Sequence, residues 1–351
     1  MKETLKQLWQ LIRLFGLRAL VRRKYRHDQA LPCLRGYVTT RILWALTQEG
    51  FLDRLLSRGS LAILPYARER GLQEAVLESL CDYLDALGLA RFEDGVCRPT
   101  RRLAALLAEP RGVFDLAYGY EPTFVALPEL LLGKRRAGVD VHRRGEYIAM
   151  GSGELGRQLP FPVMCDLLRK LGVRQVLDLG CGDLEFLFLL CQELPVTCIG
   201  IDNNAAAVAH AEKRLRDSPF AHRIQVHQAD MFAVGKLRQR WGDVEAVTAI
   251  DVFHEYLSEG ESRIRKLLEQ LREAFPRSAL VVAEFCLQPR ERLRRRPTAF
   301  VEHHLFHQLT NQVILPAQRW RTLFREAGYE IAMERVFDIV GHGYFALKPT
   351  G

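Results

Sequence analysis

The stretch VLDLGCGDLEFLFLL (176–190) limits what the chain can fold into more than any other. A hydrophobic run ends at Asp178, a glycine-rich turn comes next, and a helical pattern begins. Glycine lets backbone approach a ligand closely, and a helix N-terminus offers free N–H groups. Gly180 and Gly182 alone carry little weight. Their weight comes from three further strand ends at βαβ spacing. CIGID (198–202) ends a second strand at Asp202, 24 residues after Asp178, with Asn203 next. An acid there can accept hydrogen bonds from two ribose hydroxyls. IQVHQADMF (224–232) ends a third strand at Asp230, which can accept from an adenine amino group while Met231 and Phe232 cover the ring. AVTAIDVFHEY (246–256) ends a fourth, with Asp251 at its mouth. Short β-branched runs alternating with helical stretches predict strands near 175–179, 197–201, 224–228, 245–250, 279–284, 331–338 and 343–348.

Over residues 160–350 this series resembles the class I S-adenosylmethionine-dependent methyltransferases. The resemblance implies an α/β, Rossmann-like, seven-stranded domain over 166–351 that binds S-adenosyl-L-methionine. Asp178, Gly180, Gly182, Asp202, Asn203, Asp230, Met231, Phe232 and Asp251 would be its cofactor contacts. The sequence departs from the pattern at the loop's usual third glycine, which is Leu184. A dinucleotide dehydrogenase, the rival, wants G-x-G-x-x-G, and Phe186 and Leu187 leave no final glycine.

The chain has 351 residues, enough for two domains and an arm. Residues 1–30 form an amphipathic helix, read as packing on a partner subunit. Arg13 and Arg18 interrupt any signal-peptide core, and no apolar run is long enough to span a membrane. Residues 31–115 read as helices and then a hairpin at EDG, a winged-helix-like pattern assigned to dimerisation. In a DNA-binding winged helix the third helix should carry cations, whereas here it carries Glu74, Glu78, Asp82 and Asp85. Residues 116–165 are expected to form linking helices and a lid, with Tyr118, Tyr120, Arg144 and Tyr147 as candidate acceptor contacts. The formal charge of +8 is unevenly spread, with eight Lys or Arg against two acids in the first 30 residues, and is read as solvated surface. Eight scattered cysteines without a C-x-x-C pair indicate reduced, mostly buried thiols and a cytoplasmic protein.

The remaining signal is EHHLFHQLTNQ (302–312). On a helix His303 and His307 share a face, as do His304 and His307. The segment comes after the fifth strand, so it lies on the same rim as His254 at the end of the fourth. Two or three such imidazoles with Asp251 or Glu255 nearby would suit Fe or Zn. The position after the fourth strand reads D-V-F-H, without the prolines of enzymes that methylate nucleobase nitrogens. Together with HQLTNQVILPAQRWRTLFREAGY (307–329), the arrangement is similar to the metal-dependent α-keto acid C-methyltransferases. That resemblance implies methylation of the β-carbon of a 2-oxo acid of the 2-ketoarginine, phenylpyruvate or indolepyruvate class, through a metal-stabilised enolate. His254, His303 and His307 would be ligands, with His304 in reserve. The base would be Glu255 or a histidine free of metal, His304 included. The expected partners are the 2-oxo acid and a second copy of the chain in a homodimer, without nucleic acid or membrane. The alternatives are a metal-free small-molecule O-methyltransferase, in which His254 is the base, and a non-catalytic DNA-binding regulator.

Overall fold

A computed structural model describes residues 2–109, 111–296 and 298–350. Contacts divide the chain into two units, 1–108 and 109–351. The first unit opens with helices Lys2–Phe15 and Leu17–Gln48. It continues as helix Phe51–Arg58, strand β1 (Leu61–Ala62), helices Ile63–Arg70 and Glu74–Ala86, and strands β2 (Ala90–Glu93) and β3 (Val96–Pro99). The sheet order β1-β3-β2 with a tight β2–β3 hairpin is the winged-helix arrangement the sequence pattern predicts. Asp94, at φ 51, and Gly95, at φ 70, supply the turn, as an Asp-Gly pair should. Glu74, Glu78, Asp82 and Asp85 are all exposed on the helix before the hairpin. Among the described residues, no helix is long and apolar enough to cross a membrane. All eight cysteines are free, and all but Cys33 are buried.

The second unit is built on a seven-stranded sheet. Its strands are β4 (Gln175–Leu179), β5 (Thr197–Asp202), β6 (Ile224–Gln228), β7 (Ala246–Ile250), β8 (Ala279–Phe285), β9 (Tyr329–Phe337) and β10 (His342–Pro349). Each lies within a residue or two of its sequence-based expectation. The order is β6-β5-β4-β7-β8-β10-β9, with β10 antiparallel to both neighbours. The inner parallel strands β4, β5, β7 and β8 are nearly continuous buried runs because helices cover both faces. One face packs on helices Val234–Trp241, Glu261–Ala274 and Ala317–Glu326 through Leu267, Leu271, Trp320 and Phe324. The other packs on Pro160–Leu171, Glu185–Glu193 and Ala205–Arg216 through Met164, Leu168, Leu187 and Leu190. Each fully buried side chain of this kind contributes roughly 1.5–3 kcal/mol.

The chain winds outward from β4 to β6, then returns to the other side of β4 at β7. A sheet that reverses direction opens a crevice at the C-terminal ends of its strands, here between β4 and β7. Residues 116–165, expected to form linking helices and a lid, are largely helical, and helices Gly112–Val125 and Gly145–Gly156 line this crevice as a roof. Helices Gly112–Val125 and Gly145–Gly156 approach closely because glycines face each other: a Cβ on Gly112 would lie 2.4 Å from the Gly151 carbonyl oxygen. Gly151 of GEYIAMGSGELG therefore serves helix packing, while Gly145, Ser152 and Gly153 line the cavity.

Candidate active site

The crevice holds a cavity of about 940 Å³ lined from β4, β5, β7, β8, the roof helices and helix Phe300–Leu309. Its cofactor end is set by the glycine loop. Gly180 adopts φ 76, and a Cβ there would lie 2.6 Å from Val252 Cγ2. Gly182 adopts φ 51, and a Cβ there would meet no atom within 4 Å. Leu184, where the third glycine is missing, is also left-handed at φ 69, but its side chain is fully buried in the core. Burial of the isobutyl group offsets a backbone strain of about 1–2 kcal/mol.

Asp202 accepts from the Gly182 N–H at 3.1 Å and the Asn204 N–H at 2.8 Å. An ionised carboxylate has about four acceptor positions, so roughly two remain for ribose hydroxyls. Asn203 Nδ2 donates to the Tyr256 hydroxyl at 3.2 Å. Asp178 is buried and accepts from the Thr248 hydroxyl at 2.6 Å; burial pushes its pKa up to about 7. A cation in the cavity, such as the ammonium of an amino-acid moiety, would draw that carboxyl into its charged form. Met231 lines the cavity. Asp230 does not reach the lining set: it is exposed and accepts from the Phe232 N–H at 2.9 Å. Phe232 also stands behind the lining, edge-on to Tyr256 at 4.9 Å. The open space at Gly182, the free acceptor positions of Asp202 and the carboxyl of Asp178 fit S-adenosylmethionine.

The two glycines should therefore fail differently. Gly180→Ala forces a clash as well as strain and is expected to lower stability by about 2–3 kcal/mol. Gly182→Ala carries only strain, about 1 kcal/mol or a few degrees in Tm, but fills space meant for the ligand. Thermal melts and calorimetric titration with S-adenosylhomocysteine check this. A Gly182→Ala protein that binds as tightly as the parent contradicts the assignment.

The acceptor end gathers imidazoles around the ring of Phe285. Ring centroids lie 5.6 Å away for His254, 4.0 Å for His303, 5.5 Å for His307 and 4.9 Å for His342. His254 is the second residue of the 3₁₀ helix Phe253–Glu259, where its Nδ1 donates to Glu284 Oε2 at 2.8 Å. Glu284 is fully buried, and its Oε1 accepts from the N–H groups of Val252, Phe253 and His254 at 3.2, 2.6 and 3.3 Å. His307 Nδ1 donates to the His303 carbonyl at 2.7 Å. Both remaining Nε2 atoms face each other, 3.1 Å apart. Burial pulls the His254 pKa down, but the Glu284 carboxylate outweighs it, and the net direction is up. Burial and the neighbouring His254 push His307 down to about 3. The 3.1 Å separation is hydrogen-bond length, and the opposite directions of the two shifts favour His254 as the donor of a proton shared between these Nε2 atoms.

His303 and His307 both line the cavity, as their shared face requires. His303 Nε2 is buried without a partner, and burial and the neighbouring imidazoles push this ring's pKa well below its ordinary value. The three expected ligands do not close as one group. Among the described residues the set whose donor atoms come within 4.8 Å of one another is Asp251, His254 and Glu284. There the Glu284 oxygens are already engaged by three N–H groups and the His254 ring, and Asp251 Oδ1 by His342 Nε2, which leaves the facing Nε2 atoms of His254 and His307. His304 lies outside the cavity lining, its ring parallel to that of Phe300. Glu255 is engaged by Arg143 at 2.6 Å and Gln312 at 2.9 Å. Burial works against its charge, but Arg143 and the imidazoles hold its pKa below the carboxylate range, which makes it a weak base.

Of the acceptor-wall residues, Tyr120 lines the cavity and stacks on Phe306 at 4.6 Å. Tyr118, Tyr147 and Arg144 form a cluster of their own behind it. The Arg144 guanidinium sits 3.9 Å over Tyr118 and binds Glu121, and Tyr147 packs edge-on to Tyr118. Neighbouring Arg143 takes the expected place and is the one Lys or Arg in the cavity lining among the described residues. Sequence reasoning missed Arg143 and His342. His342 had one signal, its place between two glycines in VGHGYF (340–345).

Residues 176–275 match the model of a methyltransferase domain. The 2-ketoarginine methyltransferase of Streptomyces arginensis is 27% identical over 318 residues, covering 88% of this chain and 90% of that protein. Among solved structures, human N-acetylserotonin methyltransferase in complex with SAM superposes with a TM-score of 0.69 at 14% identity, covering 93% of this chain and 98% of that one. The mitomycin 7-O-methyltransferase MmcR gives 0.64 at 13% identity, covering 94% and 100%. With a glycine loop and an acid at the next strand end beside the switch point of a seven-stranded sheet, the chain is an S-adenosylmethionine-dependent methyltransferase of the class I fold.

Proposed function

We propose that the protein methylates the β-carbon of a 2-oxo acid with the help of a metal ion held by His254 and His307. One observation carries this reading: two buried imidazoles, each with Nδ1–H fixed elsewhere, turn their Nε2 atoms toward each other at 3.1 Å. A hydrogen bond from Nδ1–H to a carboxylate or carbonyl is how proteins orient a metal-binding histidine. Metal–nitrogen bonds are about 2.0–2.1 Å, which sets adjacent ligand nitrogens about 3 Å apart. The donor set suits Fe or Zn. The 2-ketoarginine methyltransferase relative supports an acceptor of this class.

When bound, such an ion supplies positive charge to the acceptor's ketone oxygen, and S-adenosylmethionine supplies an electrophilic methyl group. The chain's own residues do the rest. Arg143, with donors left over beyond its bond to Glu255, meets the acceptor carboxylate. Tyr120 and Phe306 wall the side chain, and the roof helices exclude water. Holding both reactants in one closed site lowers the barrier. The exposed Leu5, Leu8 and Trp9 of the first helix support a homodimer; sedimentation as a monomer at micromolar concentration removes that part.

The test is a panel of 2-oxo acids with aromatic, indole and guanidino side chains, with the methylated carbon located by NMR. Arg143→Met should raise KM for the 2-oxo acid by about 10- to 100-fold and leave cofactor affinity unchanged. Methylation of phenols or hydroxyls instead, insensitive to chelators, establishes the alternative, a metal-free O-methyltransferase. The His254–Glu284 pair favours that second reading, since a histidine backed by a carboxylate is also a serviceable base. Salt-sensitive DNA binding without methyl transfer would establish the regulator instead.

A further inference from the structure

We propose that His342, oriented by Asp251, takes the proton from the acceptor's β-carbon; this rests on the 2-oxo acid reading above. His342 opens β10, opposite Phe285 in the β8 register. It is buried and lines the cavity. Its Nε2 donates to Asp251 Oδ1 at 2.8 Å. The bond to a carboxylate fixes the tautomer, so Nδ1 carries the lone pair. That Nδ1 has no hydrogen-bond partner despite its burial. A buried acceptor without a donor costs free energy, and an unpaired one beside a ligand cavity points to a proton it receives only during reaction.

The backbone on both sides is arranged around this pair. Asp251 is held at φ 54, a conformation that costs a non-glycine residue about 1–2 kcal/mol. Strain of this kind persists where the surrounding structure enforces it, and it clusters at working sites. Gly341, at φ 63, has Phe300 so close that a Cβ would lie 2.4 Å from that ring. Gly343 is packed as tightly, its Cβ position 2.8 Å from Cys286 Sγ. His342 is therefore clamped by two glycines against β8. Phe285 contacts this ring and those of His254 and His307, so all three face one cavity along one wall. Of the other candidates, Glu255 is engaged by Arg143 and Gln312, His254 and His307 by each other, and His304 lies off the cavity. His303 also has an unpartnered Nε2, but it lacks a carboxylate like Asp251 to orient its ring and stabilise the imidazolium, and burial and the surrounding imidazoles work against its taking a proton.

In the step itself the β-C–H bond breaks and its proton goes to His342 Nδ1. The electron pair stays on the substrate as an enolate. The carbon then forms a bond to the sulfonium methyl, the S–CH₃ bond breaks, and its pair remains on sulfur as S-adenosylhomocysteine. His342 returns its proton to solvent after the product leaves.

The experiment separates deprotonation from methyl transfer. The metal-loaded enzyme is incubated with a 2-oxo acid and S-adenosylhomocysteine in D₂O, and loss of the β-proton signal is monitored by NMR. His342→Gln should slow exchange by about 10²–10⁴-fold, and Asp251→Asn by less. Metal content and S-adenosylhomocysteine affinity should stay at the parent value in His342→Gln. In His342→Ala, added imidazole should restore exchange in proportion to its concentration, a response that a purely structural histidine does not give. Exchange by His342→Gln within about threefold of the parent, or no rescue of His342→Ala, overturns the assignment of the proton acceptor and leaves the acceptor class intact. A parent enzyme that neither exchanges nor methylates any 2-oxo acid overturns both.

Discussion

Replacing His307 with alanine is expected to give a folded protein that no longer retains Fe or Zn and methylates at least about 10³-fold more slowly. The same holds for His254→Ala. Each supplies one of the two open Nε2 donors, and neither has a substitute in the right orientation. Charge stabilisation by a Lewis acid is worth several kcal/mol, and about 4 kcal/mol corresponds to 10³ in rate. His303→Ala should retain the ion, because its Nε2 stands outside the facing pair. Elemental analysis after dialysis, with initial rates before and after chelation, checks all three. The pH dependence has a definite sign. A proton held between the two Nε2 atoms belongs on the His254 side, where Glu284 outweighs burial and raises the pKa, while His307 is pushed down to about 3. Binding an ion must expel that proton, so affinity should weaken as pH falls through the His254 pKa, with one proton released per ion near and below it. A purified enzyme without stoichiometric metal and with full activity in chelator removes this mechanism and leaves the O-methyltransferase.

The strands were legible because each central one is buried on both faces and reads as a short β-branched run closed by an acid or a turn. β5 ending at Asp202 is of this kind, while edge strand β6 shows instead as alternation. The faces of the histidine helix were legible too, since i, i+4 spacing decides them without further context. What failed were questions that only neighbouring elements answer. Arg143 and Arg144 are adjacent in an extended segment before a helix, where side chains alternate. Which of them enters the cavity depends on where Glu121 and Glu255 lie, and those belong to other elements. Asp230 stands at the strand end the pattern predicts but outside the cavity lining, with one oxygen accepting from the Phe232 N–H in the local turn and the other open. Asp251 and His342 are 91 residues apart and meet only because β10 inserts antiparallel beside β8. No spacing rule reaches across an inserted strand.

Glu284 is the residue whose removal should cost the fold most, and two substitutions separate its duties. In Glu284→Ala three N–H groups at the start of the 3₁₀ helix and the His254 ring lose their acceptor in a fully buried place. Leaving a buried charge partner and several donors unsatisfied costs about 3–5 kcal/mol. For a unit of this size that is a drop of roughly 10 °C or more in Tm. Glu284→Gln is milder for the fold, since the amide oxygen can still accept from the three N–H groups. Its NH₂, however, would then face His254 Nδ1. A donor cannot pair with a donor, so the ring must move its proton to Nε2 and present N–H where a lone pair is needed. Loss of such an orienting partner typically weakens metal binding by about 10- to 100-fold. The expected result is a protein that melts near the parent, binds S-adenosylhomocysteine normally, and loses its ion at a chelator concentration the parent survives. Should Glu284→Gln keep the ion as tightly as the parent, the carboxylate is only a brace for the 3₁₀ helix, and the orientation of His254 has another cause.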